Sequence, residues 1–121
     1  DVKEWEKDCH EYGLTEDEMD VIRQYCSDSR MLPESQEKVM LISMDKRVAG
    51  FSLKQANKLR KAIAKKDDEV LEATRIMFFE HCIKQGCREL FANYIWYELF
   101  GMSFGYVIMV MICEPYQGCV A

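Results

Sequence analysis

The stretch KRVAGFSLKQANKLRKAIAKK, residues 46–66, divides this chain into parts of opposite charge. It contains eight of the chain's 16 Lys and Arg residues and none of its 21 Asp and Glu residues. This basic stretch therefore carries a net charge of +8, while the remaining residues carry −13. Such a concentration of positive charge in an acidic chain predicts an anionic partner, such as a phosphate or a nucleic acid backbone.

The basic stretch also contains a clear helix signal. Ser52 is followed three residues later by Gln55, which is the spacing of a capping box, so we expect a helix to begin at Leu53. Gly50 marks a turn before it. Four apolar positions of this helix fall on one stripe that should face a core: Leu53, Ala56, Leu59 and Ile63.

A second stripe of the same helix consists of four lysines: Lys54, Lys58, Lys61 and Lys65. Neighbouring cations on a helix repel each other by about 0.2–0.5 kcal/mol per pair, a cost that a bound anion would offset. Charge alone leaves two interpretations open, an anion-binding face and a solvated lysine face. Arg60 lies on the packed side of the helix, where its guanidinium needs either a carboxylate or a ligand phosphate as its partner.

Several short motifs follow one another between residues 36 and 66. They are Gln36-Glu37-Lys38-Val39-Met40, Gly50-Phe51-Ser52-Leu53, Ala56, Leu59-Arg60-Lys61-Ala62 and Lys65-Lys66. In this order they resemble the fingers region of the C-family alpha subunit of bacterial DNA polymerase III. So many matches in order are far more specific than any one short motif. The resemblance implies a helical region that closes over the incoming nucleotide, with basic residues approaching its triphosphate.

The resemblance also implies roles for individual side chains. Arg60 and Lys61 would contact the triphosphate, Arg60 through a fork suited to bidentate contact and Lys61 as a point charge. They would position the nucleotide and stabilise the leaving pyrophosphate. A supporting basic face, directed at the DNA backbone, would consist of Lys54, Lys58, Lys65 and Lys66. The implied partners are a dNTP, primer–template DNA and the rest of the polymerase chain.

The catalytic chemistry of such a polymerase is expected outside this chain. Two-metal nucleotidyl transfer needs clustered aspartates, and the palm that carries them lies upstream of the fingers in this family. The resemblance therefore implies a DNA-directed DNA polymerase as the parent enzyme, with Mg²⁺ at its palm. We expect no cofactor, no metal site and no catalysis in this chain by itself. Because the chain opens at Asp1 rather than Met, we expect a fragment or a processed product.

The implied location is the cytoplasm of a bacterial or phage-infected cell, without membrane association. The first 20 residues carry nine acidic side chains and lack the apolar run of a signal peptide. The apolar run VIMVMIC, residues 107–113, is far shorter than the roughly 20 residues that a membrane span needs.

Helical patterns continue on both sides of the basic stretch, so we predict an all-α fold, an irregular bundle of five to six helices. Thr15 and Glu18 repeat the capping-box spacing. Asp67 and Asp68 can cap a long helix that Gly86 ends. Besides the basic helix, the expected helices cover residues 1–12, 16–26, 33–47, 69–85 and 88–100.

We divide the chain into a helical fingers-like domain, residues 1–106, and a divergent apolar tail, residues 107–121. After Tyr106 the family continues with Lys and His residues that serve the nucleotide. Val110 and Ile112 stand at the corresponding places here. We therefore expect a gene interrupted after Tyr106, with the tail read from an intervening sequence or a shifted frame.

Six cysteines and two histidines raise the question of a metal site. None of them has the C-x-x-C spacing typical of zinc ligands, which favours free and mostly buried thiols.

Two other functions remain open. The chain could be a non-catalytic interaction module or decoy that binds a replication partner or nucleic acid. It could also be a small DNA-binding protein, whose affinity would fall steeply with salt.

Overall fold

The structure, a computed structural model, describes residues 2–28, 31, 33 and 35–102. Within these ranges the chain is helical and contains no strand, which confirms the all-α prediction. The predicted tail, residues 107–121, lies outside the described residues. The helices in chain order are α1 (Val2–Tyr12), α2 (Glu16–Cys26), α3 (Gln36–Met44), α4 (Leu53–Lys65), α5 (Asp68–Lys84), α6 (Glu89–Asn93) and a π-helix (Tyr94–Phe100).

Two helices begin where the capping boxes predict. The backbone N–H of Glu18 donates to Thr15 Oγ1 at 3.2 Å, and the N–H of Thr15 donates to the Glu18 carboxylate at 2.8 Å. Ser52 and Gln55 exchange the same pair of bonds at the start of α4, at 3.2 and 2.9 Å. Each box satisfies backbone N–H groups that the first helical turn leaves without an intrahelical partner. Local sequence therefore determines both helix starts.

The boundaries of α5 also agree with the sequence to within one residue. The backbone N–H of Val70 donates to Asp67 Oδ1 at 3.2 Å, so the helix begins at Asp68. Gly86 follows the end of the helix with φ +82°. Glycine adopts this left-handed backbone readily because it has no Cβ. The prediction that Gly86 ends the helix is confirmed.

The predicted extent of the third helix is wrong at both ends. We expected residues 33–47, whereas α3 spans Gln36–Met44. Asp45 adopts an extended backbone, with ψ 131°, and its carboxylate accepts from the backbone N–H of Arg47 at 2.8 Å. An Asp side chain that bonds to the backbone two residues later forms a turn in competition with a further helical turn. Helix α3 therefore ends before this turn.

One predicted core position of the basic helix is also wrong. Ala56, Leu59 and Ile63 are buried as expected, but Leu53 is 64% exposed. Leu53 is the first residue of α4, and its side chain lines a surface groove instead of reaching the core.

The helix expected over residues 88–100 is divided into α6 and the π-helix. The π-helical turn carries Trp96 and Phe100, both fully buried against Phe78 of α5. Their ring centroids lie 5.3 Å and 6.0 Å from that of Phe78. A pattern of apolar residues does not distinguish a π-helical turn from an α-helical one, so this change could not be predicted from the sequence.

A single core of buried apolar side chains includes residues from every described helix. Helix α4 packs against α3 on one side and α5 on the other. This arrangement gives the basic helix two flanks, each forming one wall of a groove. No helix within the described part of the chain has the length and apolar character needed to cross a membrane.

Candidate functional site

The predicted row of lysines lines a groove between α4 and α5. This groove has a volume of about 560 Å³. Its basic side chains are Lys54, Lys58, Lys61 and Lys65. Amide and apolar side chains complete most of the wall: Gln55, Asn57, Ala62, Val70 and Met77. The lysine row therefore lines a concave surface, which we call the lysine groove.

The lysine groove has an excess of positive charge. Asp67 contributes the one carboxylate among the described lining residues, and one of its oxygens already accepts the N–H of Val70. None of the ion pairs within the described residues involves the four lysines. All four are exposed. Cations held close together without an acidic partner attract a multiply charged anion.

Arg60 is half-buried and has a partner that the sequence analysis did not anticipate. Its Nε and Nη2 donate to Oδ1 of Asn57 at 3.0 and 2.8 Å. No ion pair of Arg60 occurs among the described residues. Among the described residues, an amide oxygen thus stands where a carboxylate partner was one of the two expectations, and it leaves the charge of Arg60 uncompensated.

The structure places Arg60 and Lys61 in different grooves. Arg60 lines a groove of about 660 Å³ between α3 and α4, whereas Lys61 lines the lysine groove. The other walls of the α3–α4 groove are mostly apolar, with one carboxylate: Ser35, Gln36, Glu37, Met40, Leu41, Met44 and Leu53. Asn57 connects the two grooves because it lines the lysine groove and also accepts from Arg60.

Lys66, predicted as part of the supporting basic face, lies at the C-cap of α4. Its backbone is left-handed, with φ +54°, and its N–H donates to Ile63 O at 3.3 Å. It is exposed but lies beyond the described lining of the lysine groove. Of the six predicted basic site residues, the structure therefore brings four together and places Arg60 and Lys66 apart from them.

Arg47, another cation of the basic stretch, is occupied by structural contacts. Its Nη2 donates to Asp45 Oδ2 at 2.7 Å and to Gln24 Oε1 at 2.6 Å. Tyr25 donates its hydroxyl to the same Asp45 oxygen at 2.6 Å. Hydrogen bonds from Arg47 lower the pKa of Asp45 to about 2, and burial followed by the Asp45 contact raises the pKa of Tyr25 to about 12. This cluster joins α2 to the turn before α4.

The side chain of Gln55 connects the start of α4 to α5. Nδ1 of His81 lies 2.9 Å from the carbonyl oxygen of Met77, which can only accept, so Nδ1 carries the proton in neutral His81. The Gln55 amide therefore donates to His81 Nε2 at 3.2 Å. Sequence reasoning missed this role and that of Asn57. The spacing of Asn57 three residues before Arg60 was the one local signal.

No group of three His, Cys, Asp or Glu side chains within the described residues is arranged to hold a metal ion. No disulfide joins any of the described cysteines, which are Cys9, Cys26, Cys82 and Cys87.

Residues 13–86 match the family model described as the bacterial DNA polymerase III alpha subunit finger domain. The chain belongs to this family. The match includes the whole basic stretch, α2 to α5 and both grooves of α4. The resemblance inferred from the ordered motifs between residues 36 and 66 is confirmed.

The finger domain has relatives among curated proteins. It is 36% identical over 116 residues to a protein of Bacillus subtilis (strain 168) named "Probable DNA polymerase YorL" and, to the same extent, to the "DNA-directed DNA polymerase" of Bacillus phage SPbeta. Each alignment covers 96% of this chain but 9% of the relative's length. "DNA polymerase III subunit alpha" of Bacillus subtilis is 46% identical over 50 residues, which is 41% of this chain and 4% of that protein. No solved structure matches the chain.

The alignment with the YorL protein extends past Tyr106, where we expected the resemblance to fail. It covers 116 of the 121 residues, so most of residues 107–121 fall within it. A relative that continues through this region argues against an interrupted gene as the source of the tail. The boundary that we place at residue 106 stays a prediction.

Proposed function

We propose that this finger domain is part of a replicative DNA-directed DNA polymerase and that α4 binds the triphosphate of the incoming dNTP and the nearby DNA backbone. The observation that carries the proposal is the lysine groove, with its four exposed lysines and no ion pair to them among the described residues. The chain spans 9% of the length of its YorL and phage SPbeta relatives. Polymerase activity, Mg²⁺ at the palm and a cytoplasmic location therefore belong to this proposal.

A triphosphate fits the charge of the lysine groove. Each ammonium group is a compact point charge on a flexible stem, so several of them can converge on neighbouring phosphate oxygens. Gln55 and Asn57 add amide groups to the same wall. In phosphoryl and nucleotidyl transfer, protein cations act mainly by positioning the phosphates and by stabilising charge that develops on the leaving group. Lys61 would serve the triphosphate, and Lys54, Lys58 and Lys65 would support it or contact DNA.

Arg60 would approach the nucleotide from the adjacent groove. Its contacts to Asn57 use Nε and Nη2, which leaves both N–H groups of Nη1 for a ligand. A phosphate reached in this way would compensate the charge that Asn57, a neutral partner, leaves unpaired. Arg60 and Lys61 would then contact the anion from the two sides of α4.

Kinetics of the full-length polymerase variants Lys58→Ala and Lys61→Ala test the proposal. The measured quantity is kcat/KM for the dNTP at a fixed, saturating primer–template. A variant that removes a triphosphate contact should lose about ten- to a hundredfold, because a hydrogen bond to a charged group contributes about 1.5–3 kcal/mol. Lys84→Ala removes an exposed cation of α5 outside the lysine groove, so it should leave kcat/KM unchanged.

A second measurement on the same variants distinguishes a lysine that contacts the DNA backbone from one that contacts the triphosphate. Loss of a backbone phosphate contact weakens primer–template binding and reduces the slope of log K against log salt by about 1. A lysine that contacts only the triphosphate changes kcat/KM for the dNTP and leaves this slope intact. If neither quantity differs from that of Lys84→Ala, the lysine groove does not bind phosphate, and the interaction-module hypothesis replaces the proposal.

A further inference from the structure

The C-terminal turn of α5 places two thiols side by side. The backbone N–H of Cys87 donates to the carbonyl oxygen of Cys82 at 2.9 Å, and that of Gly86 donates to Ile83 at 3.1 Å. This pair of bonds is a Schellman motif. The two residues joined by its outer bond, here Cys82 and Cys87, commonly have their side chains in contact. Bond lengths and the 2.9 Å hydrogen bond limit the Cα···Cα distance of the two cysteines to roughly 7 Å. Disulfides span about 4.4–6.8 Å between Cα atoms.

The two thiols differ in environment. Cys82 is fully buried, whereas Cys87 is half-buried and lines a groove of about 470 Å³ together with Arg88 and Glu18. A hydrogen bond from the Cys82 thiol lowers the pKa of Cys87, and the same contact, together with burial, raises the pKa of Cys82. Solutes in the groove therefore meet Cys87, the thiol that ionises more easily, while Cys82 stays behind it.

We propose that Cys82 and Cys87 form a redox-active dithiol that hydroperoxides oxidise to a disulfide across the C-terminal turn of α5. The inference rests on this turn alone and is independent of the proposed polymerase function. It assigns Cys87 as the attacking thiol, because it is the accessible one, and Cys82 as the resolving thiol, because the turn already holds it in contact.

The chemistry takes place in two steps. The Cys87 thiolate attacks one peroxide oxygen, so that an S–O bond forms and the O–O bond breaks. The other oxygen leaves as hydroxide and takes up the proton lost by Cys87, giving water. The Cys82 sulfur then attacks the Cys87 sulfur, the S–S bond forms, and the S–O bond breaks. The hydroxide released combines with the proton of Cys82, so two thiols and one hydrogen peroxide give a disulfide and two waters.

The position of this turn connects it to the start of the basic helix. A Cβ atom on Gly50 would lie 2.9 Å from Nε2 of Gln85, so the turn before α4 packs tightly against the C-cap of α5. His81, one residue before Cys82, contacts Gln55 of the α4 capping box. A disulfide would therefore restrain the segment that supports the N-terminal end of α4.

Peptide mapping of the full-length protein that carries this chain tests the proposal. The protein is treated with a small molar excess of hydrogen peroxide, remaining thiols are alkylated in denaturant, and the product is digested with trypsin. Lys84 lies between the two cysteines, so the reduced protein yields residues 76–84 and 85–88 as separate alkylated peptides. The oxidised protein should yield them joined by a disulfide, with a mass two hydrogens below the sum of the two unalkylated peptides. Recovery of both as alkylated peptides would overturn the proposal.

Two variants complete the experiment. Cys87→Ser should abolish the joined peptide and leave Cys82 available for alkylation. Cys26→Ser removes another buried cysteine, on α2, and should leave the joined peptide unchanged. A disulfide between Cys87 and a cysteine other than Cys82, or over-oxidation of Cys87 without any link, would also overturn the proposal. The result on the unsubstituted protein decides the question even if a variant fails to fold.

Discussion

At the scale of single residues, Asn57 determines how the guanidinium of Arg60 is held. One oxygen accepts two N–H groups, at 3.0 and 2.8 Å, from a residue one helical turn later. A charged carboxylate at this place would neutralise Arg60, whereas the amide orients it and preserves its charge. We expect Asn57 to act as a positioning residue for the proposed phosphate contact.

A double-mutant cycle checks this expectation. Asn57→Ala should lower kcat/KM for the dNTP several-fold in the full-length polymerase, because Arg60 loses its orientation. In an Arg60→Ala background the same substitution should have almost no further effect, since the two residues act through one contact. Equal effects of Asn57→Ala in both backgrounds would show that Asn57 does not act through Arg60.

Asp45 leads to a prediction about pH. Its pKa is lowered to about 2 in the folded chain, so the folded state favours the carboxylate. The resulting stabilisation, about 2 kcal/mol, is fully present above the unfolded pKa near 4 and is lost as pH falls through about 2. Asp45 is well shielded, with its side chain 9% exposed.

Urea unfolding between pH 6 and pH 2 measures this contribution. Asp45→Asn should be less stable than the unsubstituted chain at pH 6, and the difference should shrink as the pH falls. Tyr25→Phe serves as a control for the neighbouring hydroxyl, which donates to the same carboxylate. A stability difference that stays constant over this range would show that Asp45 does not titrate as described.

At the scale of elements, the sequence predicted those features that depend on a few neighbouring residues. The starts of α2 and α4 follow from capping boxes, and the end of α5 follows from Gly86. The early end of α3 escaped prediction because it depends on the side chain of Asp45 bonding to the backbone of Arg47. The π-helix was not predicted because its apolar pattern also fits an α-helix.

The capping box of α4 supports a prediction about this element. Ser52→Ala removes the acceptor for the N–H of Gln55 and should lower the free energy of unfolding by about 1 kcal/mol. Ser52→Thr keeps a hydroxyl acceptor and should lose much less. Urea denaturation distinguishes the two variants when their unfolding curves are analysed with a common slope of unfolding free energy against urea concentration. Equal losses for both variants would mean that the hydroxyl does not cap the helix.

At the scale of the whole molecule, the sequence predicted the all-α architecture and the family, since helical periodicity and ordered motifs are local properties. The arrangement of the candidate site was not predictable in the same way. Arg60 and Lys61 are neighbours in the chain, yet packing of α3 and α5 on opposite flanks of α4 places them in separate grooves. The lysine stripe was visible in the sequence, but its concave surface exists only because α5 forms the opposite wall.

Lysine footprinting of the full-length polymerase shows whether the lysine groove holds the triphosphate. An amine-specific acetylating reagent is applied to the polymerase with primer–template alone and again after addition of the next complementary dNTP. Mass spectrometry then gives the acetylation rate of each lysine. If the lysine groove holds the triphosphate, the dNTP should slow acetylation of Lys61 and its groove neighbours Lys54, Lys58 and Lys65 but leave the exposed Lys84 unaffected. Equal acetylation rates of the groove lysines with and without the dNTP would show that the triphosphate binds elsewhere.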